Sequence, residues 1–142
     1  MIANKVAVSP AEVETIMADW VTGKILADPS QNGMANVSAV SIYFQPGKGH
    51  ARHNHPDSEQ LIFVIGGEAH MMIEFEEGKP QERTIRTGDL VSIPKGAYHS
   101  TFNTGWEPVR ILAIYSPPGP EAAMRNSAEF DVIPAGAIPS QA

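Results

Sequence analysis

The stretch GKGHARHNHPDSEQLIFVIG, Gly47 to Gly66, sets the reading of the whole chain. Side chains alternate between the faces of a β-strand, so His53 and His55 project the same way, about 7 Å apart along the strand. Pro56-Asp57-Ser58 is turn chemistry. It ends that strand and lets Glu59 open the next one beside the two imidazoles. Working outward, a second stretch, GDLVSIPKGAYHSTFN from Gly88 to Asn103, carries another turn signal, Pro94-Lys95-Gly96-Ala97, after which His99 can return from a later hairpin.

These residues predict one metal site, with His53, His55, Glu59 and His99 as ligands. Three histidines and a carboxylate suit Fe, Mn, Ni, Co or Zn in the divalent state, and the chain has no cysteine whose thiolate would narrow the choice. Four protein ligands leave two positions open on a six-coordinate ion, which catalysis requires. Strand parity counted from Glu59 puts Leu61 and Phe63 on the metal's face. Arg52 and Tyr98, each next to a ligand, are expected to point away from it.

The two stretches resemble the paired motifs of the cupin superfamily, in Gly47, His53, His55, Glu59 and Gly66 and in Gly88, Pro94, Gly96, His99 and Asn103. The resemblance spans about residues 38–116 and implies an all-β fold, a double-stranded β-helix or jelly-roll barrel with the metal inside one end. A shared fold does not carry one chemistry. Asp19 to Gly23 and Ser41 to Gly47 are similar to segments of small cupins that include manganese-dependent hydroxynitrile lyases, which would carry Val40, Ile42, Ile111, Ala113 and Tyr115 into the pocket. Those lyases have Gln at the position read here as Glu59. Tyr115 to Glu121 resembles the barrel exit of quercetin 2,3-dioxygenase-like cupins, in which the ligand glutamate doubles as a base; this makes Glu59 and Tyr115 the candidate catalytic residues.

A chain of 142 residues makes one domain, long enough to bury about two thirds of its unfolded surface. The expected layout is an N-terminal helix and strand over 1–30, the barrel over 31–117 and a tail over 118–142. Ser9-Pro10-Ala11-Glu12 reads as a helix start, with Val13, Ile16, Met17 and Trp20 as a packing stripe. Leu61-Ile62-Phe63-Val64-Ile65 is so continuously apolar that both of its faces should be covered. The net charge of −6 and the scattered Lys and Arg argue against nucleic acid as a partner. No apolar run approaches the length of a membrane span, and Met1-Ile2-Ala3-Asn4-Lys5 lacks the features of a leader, so a cytoplasmic protein is expected.

The expected function is a metal-dependent dioxygenase acting on an aromatic or enolisable small molecule. The alternatives are a redox-neutral lyase, isomerase or decarboxylase, and a module that only binds a sugar-like or anionic ligand. His50 is expected at the solvent-exposed mouth of the pocket, and His70 as a histidine satisfied by backbone or as a base behind the ligands. A homodimer is expected, with 20–26 and 130–134 covering a neighbour's sheet edge.

Overall fold

Short runs rich in Val, Ile, Thr and Phe, punctuated by glycine and proline, fold as the sequence predicts, into antiparallel sheets. The computed structural model describes residues 5–139; Met1 to Asn4, most of the stretch read as lacking a leader, and Ser140 to Ala142 lie outside the described residues. The strands are β1 (Thr15–Ala18), β2 (Val21–Ala27), β3 (Ser38–Phe44), β4 (Gly49–His53), β5 (Glu59–Gly66), β6 (Glu68–Glu76), β7 (Lys79–Arg86), β8 (Leu90–Ile93), β9 (Tyr98–Phe102), β10 (Val109–Ser116) and β11 (Asp131–Ile133). Two short helices, α1 (Pro29–Asn32) and α2 (Pro120–Asn126), complete the order.

One sheet runs β11-β1-β2-β3-β10-β5-β8 and the other β4-β9-β6-β7. Their inner faces meet in a core of alternating residues: Val40, Ile42 and Phe44 from β3, Ile62 and Val64 from β5, Met71 and Ile73 from β6, Ile111 and Ala113 from β10. This is the all-β jelly roll the motifs imply, two sheets closed over one apolar interior.

The N-terminal helix is not formed as expected. Glu12 Oε2 does accept from the Ser9 amide at 2.7 Å, but only a single 3-10 turn, Pro10–Glu12, follows. Thr15 and Ile16 are buried in β1, which pairs with β2 on one side and β11 on the other. Two backbone ladders and a β-branched pair outweigh the local helix signal, as tertiary pairing commonly does.

The tail is also placed differently. β11 pairs with β1 of the same chain, Thr15 opposite Ile133. α2 is pinned by Arg125, which donates to Glu14 Oε1 at 2.7 Å and to Asp28 Oδ2 at 2.9 Å. The buried Glu121 carboxylate accepts from Ser38 Oγ and from the Gly119 amide, each at 2.9 Å. Segments 20–26 and 130–134 are therefore largely used inside this chain's own sheet.

Candidate metal centre

The two motif stretches meet through their backbones. His53 on β4 lies opposite His99 on β9. The His55 carbonyl accepts from the Gly96 amide at 3.0 Å, and Asn54 Nδ2 donates to the Gly96 carbonyl at 3.2 Å. Gly47 N donates to the Asn103 carbonyl at 3.0 Å, and Asn103 N returns a bond to Lys48 O at 2.8 Å. The turn residues of the two motifs are thus fasteners between β4 and β9, and they bring the imidazoles together.

His53, His55 and His99 present ligand nitrogens that all lie within 4.8 Å of one another. Their ring centroids are 4.2 Å (His53–His99), 4.9 Å (His53–His55) and 5.2 Å (His55–His99) apart. His53 Nδ1 sits 2.7 Å from the Ala51 carbonyl and His99 Nδ1 sits 2.9 Å from the Ala97 carbonyl. A carbonyl only accepts, so each Nδ1 carries the proton and each Nε2 keeps its lone pair for a ligand bond. Nε2 of His55, Nε2 of His99 and Oε1 of Gln60 are buried with no hydrogen-bond partner. Orphaned polar atoms inside a barrel are costly unless something completes them, and a divalent metal fits the converging imidazole nitrogens.

The fourth position departs from the sequence reading. Glu59 is exposed, and Gln60, Ile62 and Val64 are the side chains of β5 that face the interior. Gln60 lies in register with Tyr115 on β10, whose ring packs edge-on against His55 at 5.2 Å. Gln60 pairs with Tyr115 on one side and Ile93 on the other, so the inward set of β5 starts one residue after Glu59. Leu61 and Phe63 follow Glu59 to the outer face, at 39% and 41% exposure, and do not reach the pocket.

Beside the histidines is a cavity of about 290 Å³ lined by Trp20, Ile42, Phe44, His50, Tyr115 and Phe130 among others. Of the expected substrate-contacting residues, Ile42 and Tyr115 border it; Val40, Ile111 and Ala113 face the same interior but are consumed by core packing. Sequence reasoning missed one wall entirely, the one built by Pro120, Ala123 and Met124 of α2 and by Ser127, Glu129 and Phe130 after it. The apolar character of Phe130 was the available signal. His50 is also drawn in rather than exposed, stacked between Trp20 at 4.3 Å and His53 at 3.4 Å. His70 faces outward, its Nε2 3.8 Å from a Glu82 carboxylate oxygen. Arg52 points away as expected, salt-bridged to Glu74 at 2.7 Å with its guanidinium 3.8 Å above the Tyr98 ring.

Burial, reinforced by the neighbouring imidazoles, pushes His53 down to about 2, His50 to about 3 and His55 to about 4; burial lowers His99 as well. Neutral imidazoles are what a metal needs. Because these folded values lie below the unfolded one, the unfolded chain takes up protons first as the pH falls. Stability is then fully present above pH 6.5 and is lost as the pH drops toward the folded values. The metal-free protein is expected to lose up to about 1.4 kcal/mol per pH unit for each such histidine between these limits. Urea midpoints in chelator at several pH values check this. A profile that stays flat from pH 7 to 4.5, or that is unchanged in a variant with all three clustered histidines replaced by alanine, contradicts the desolvated cluster.

Fold and site together define a small jelly-roll barrel with a histidine cluster positioned to bind a metal at one end. A family model described as a cupin domain matches residues 40–115, and the chain belongs to that family. It is 26% identical over 126 residues to germin-like protein subfamily 2 member 2 of Arabidopsis thaliana, covering 89% of this chain and 58% of that protein. The chain spans about half the length of the curated relatives it matches. Among solved structures, KdgF from a Halomonas species superposes with a TM-score of 0.69 at 17% identity, over 84% of this chain and 98% of that one. Oxalate decarboxylase of Bacillus subtilis, a protein with Mn(II) centres, superposes with a TM-score of 0.71 at 23% identity, over 78% of this chain and 29% of that one. Among the described residues, no helix is long and apolar enough to cross a membrane.

Proposed function

We propose that this chain is a divalent-metal-dependent enzyme of redox-neutral chemistry, a lyase, decarboxylase or isomerase, acting on a small oxygen-bearing molecule with an apolar or aromatic portion. The observation that carries this reading is the amide in place of the carboxylate: Gln60 faces the interior with an orphaned Oε1, and Glu59 faces out. Three imidazoles and an amide are neutral, so a bound divalent ion would keep its full charge and supply Lewis-acid polarisation of a substrate oxygen. The Mn(II) of the decarboxylase and the glutamine of the hydroxynitrile-lyase-like cupins support the same class. The dioxygenase expectation relied on Glu59 as both ligand and base, and stands behind the redox-neutral reading once that carboxylate lies outside.

The chain's own residues divide the remaining work. Burial, with Glu121 nearby, holds the Tyr115 phenol well above its usual range, so its Oη keeps its proton and acts as a donor to substrate rather than as a base. His50 stays neutral at physiological pH and offers an acceptor in the same cavity. Trp20, Phe44 and Phe130 wall the cavity for the apolar part of the substrate. Glu129 Oε1 accepts from Trp20 Nε1 at 2.7 Å and holds that indole in place.

The test is anaerobic turnover of a panel of cyanohydrins, oxalate and other oxo acids by the Mn(II)- or Fe(II)-loaded protein. Product is expected without oxygen. Tyr115→Phe is expected to lower kcat about a hundredfold at unchanged metal content, the scale of a lost proton donor. Turnover that stops without oxygen and consumes it stoichiometrically with air would return the dioxygenase reading.

A further inference from the structure

Where β1, β2 and β3 turn away from the core they carry a row of polar side chains. Ile16, Val21 and Ile25 enter the core, so their strand neighbours Thr15, Thr22 and Lys24 face out. The ladder sets Thr15 opposite Lys24 and Thr22 opposite Tyr43. With Gln45 and Ile138 these side chains line a cavity of about 330 Å³. It shares no lining residue with the metal cavity, which takes Val21, Ile42 and Phe44 from the opposite face of β2 and β3.

Two groups in this outer cavity lack partners. Thr15 faces outward on its strand and is nevertheless 1% exposed, and its Oγ1 has no hydrogen-bond partner. A buried hydroxyl left unpaired costs about 1–3 kcal/mol, so its persistence points to something that completes it. Lys24 is half-buried and donates to the Val13 carbonyl at 3.2 Å, which uses one of its three ammonium protons. Among the described residues it forms no ion pair, although the chain carries a net charge of −6. The ammonium, the Thr15, Thr22 and Tyr43 hydroxyls and the Gln45 amide can all donate to an anion. Lys24 is the single charged side chain among the described residues that line the cavity, so the charge it matches is one, that of a carboxylate rather than of a phosphate dianion. The 137–139 segment, Ala-Ile-Pro, adds an apolar border suited to a short hydrocarbon body. We infer that this cavity is a second ligand site, taking the carboxylate of a small aliphatic acid on Lys24 and the Thr15 hydroxyl.

Calorimetric titration of the Mn(II)-loaded full chain with butyrate tests this, with butyramide as the uncharged analogue and inorganic phosphate as the more highly charged competitor. Saturable binding of butyrate is expected, with far weaker binding of butyramide, and it should persist in His99→Ala, whose metal site is impaired. Lys24→Met is expected to weaken it about tenfold or more, the scale of a lost charge-assisted bond. Thr15→Val is expected to weaken it as well, yet to unfold without the acid at the same urea concentration as the parent or a higher one, because it removes a hydroxyl that the fold itself leaves unpaired. Butyrate that fails to bind, or that binds equally well to Lys24→Met, overturns the proposal. Binding lost in His99→Ala but kept in Lys24→Met places the acid on the metal and overturns it too. Phosphate that binds more tightly than butyrate and depends on Lys24 overturns the carboxylate assignment. A Thr15→Val variant that loses stability and binds butyrate like the parent overturns the role of the hydroxyl.

Discussion

Protein carrying His99→Ala is expected to bind Mn(II) or Zn(II) at least a hundredfold more weakly than the parent, with the barrel still folded. The affinity falls because His99 supplies one of three converging nitrogens, with its Nε2 buried and otherwise unpartnered. The fold persists because the core is a continuous apolar cluster that does not include the ion, unlike a zinc finger, whose folding is metal binding. His53→Ala and His55→Ala should behave in the same way. The decisive pair is Gln60→Ala and Glu59→Ala: the first is expected to weaken binding about tenfold or more, the second to leave it unchanged. Arg52→Ala and Tyr98→Ala, which pair with each other and with Glu74 on the far face, should also spare it. Metal titration against a competing chelator measures all seven. If Glu59→Ala weakens binding as much as His99→Ala, the carboxylate belongs in the site and the amide reading fails. Metal at a hundredfold excess over its dissociation constant should stabilise the parent by about 2.7 kcal/mol and raise its Tm.

Gly49→Ala is expected to be the most disruptive single methyl that can be added near the site. A Cβ built there meets the Thr101 carbonyl oxygen at 2.1 Å and the Phe102 Cα at 2.6 Å, both backbone atoms that cannot swing aside. Gly49 pairs with Phe102 in the ladder that sets His53 opposite His99. Relief requires β4 and β9 to separate, which breaks ladder hydrogen bonds and moves two ligands apart. A loss of roughly 3 kcal/mol or more in unfolding free energy is expected, together with a fall in metal affinity; overpacking of this kind commonly costs about 1–3 kcal/mol in cores where side chains can still adjust. Chemical denaturation and metal titration of the same variant read both effects. Gly47→Ala is the contrast, because its Cβ meets nothing within 4 Å and the cost is only that of a positive φ of 79°. If the two variants lose stability equally, the steric argument is wrong.

Gly49 is absent from the motif as read, although it is the position with the least room. Spacing rules pick out glycines that shape turns, where positive φ leaves a signature in neighbouring prolines and aspartates. Close approach of two strands leaves none. The same limit explains β5. Leu61 to Ile65 is apolar at every position, so hydrophobic alternation cannot say which half of the strand faces in. With Glu59 and Gln60 adjacent, either parity offers a ligand. The choice is made by pairing, Gln60 with Tyr115 on one side and Ile93 on the other, and that register depends on segments about 30 and 55 residues away in sequence.

What the sequence by itself determined was the barrel and the three imidazoles. Strand length, turn chemistry and the His53-x-His55 spacing are local, and a second turn returning His99 is local as well. The tertiary structure alone decided which of two neighbouring side chains turns toward the interior, that α2 and Phe130 wall the cavity, and that β1 is a strand despite its helical signals. Each of those outcomes rests on partners distant in the chain. Hydrogen bonds and burial supplied by another strand outweigh the preferences of the residues themselves, and those partners exist only once the sheets have closed.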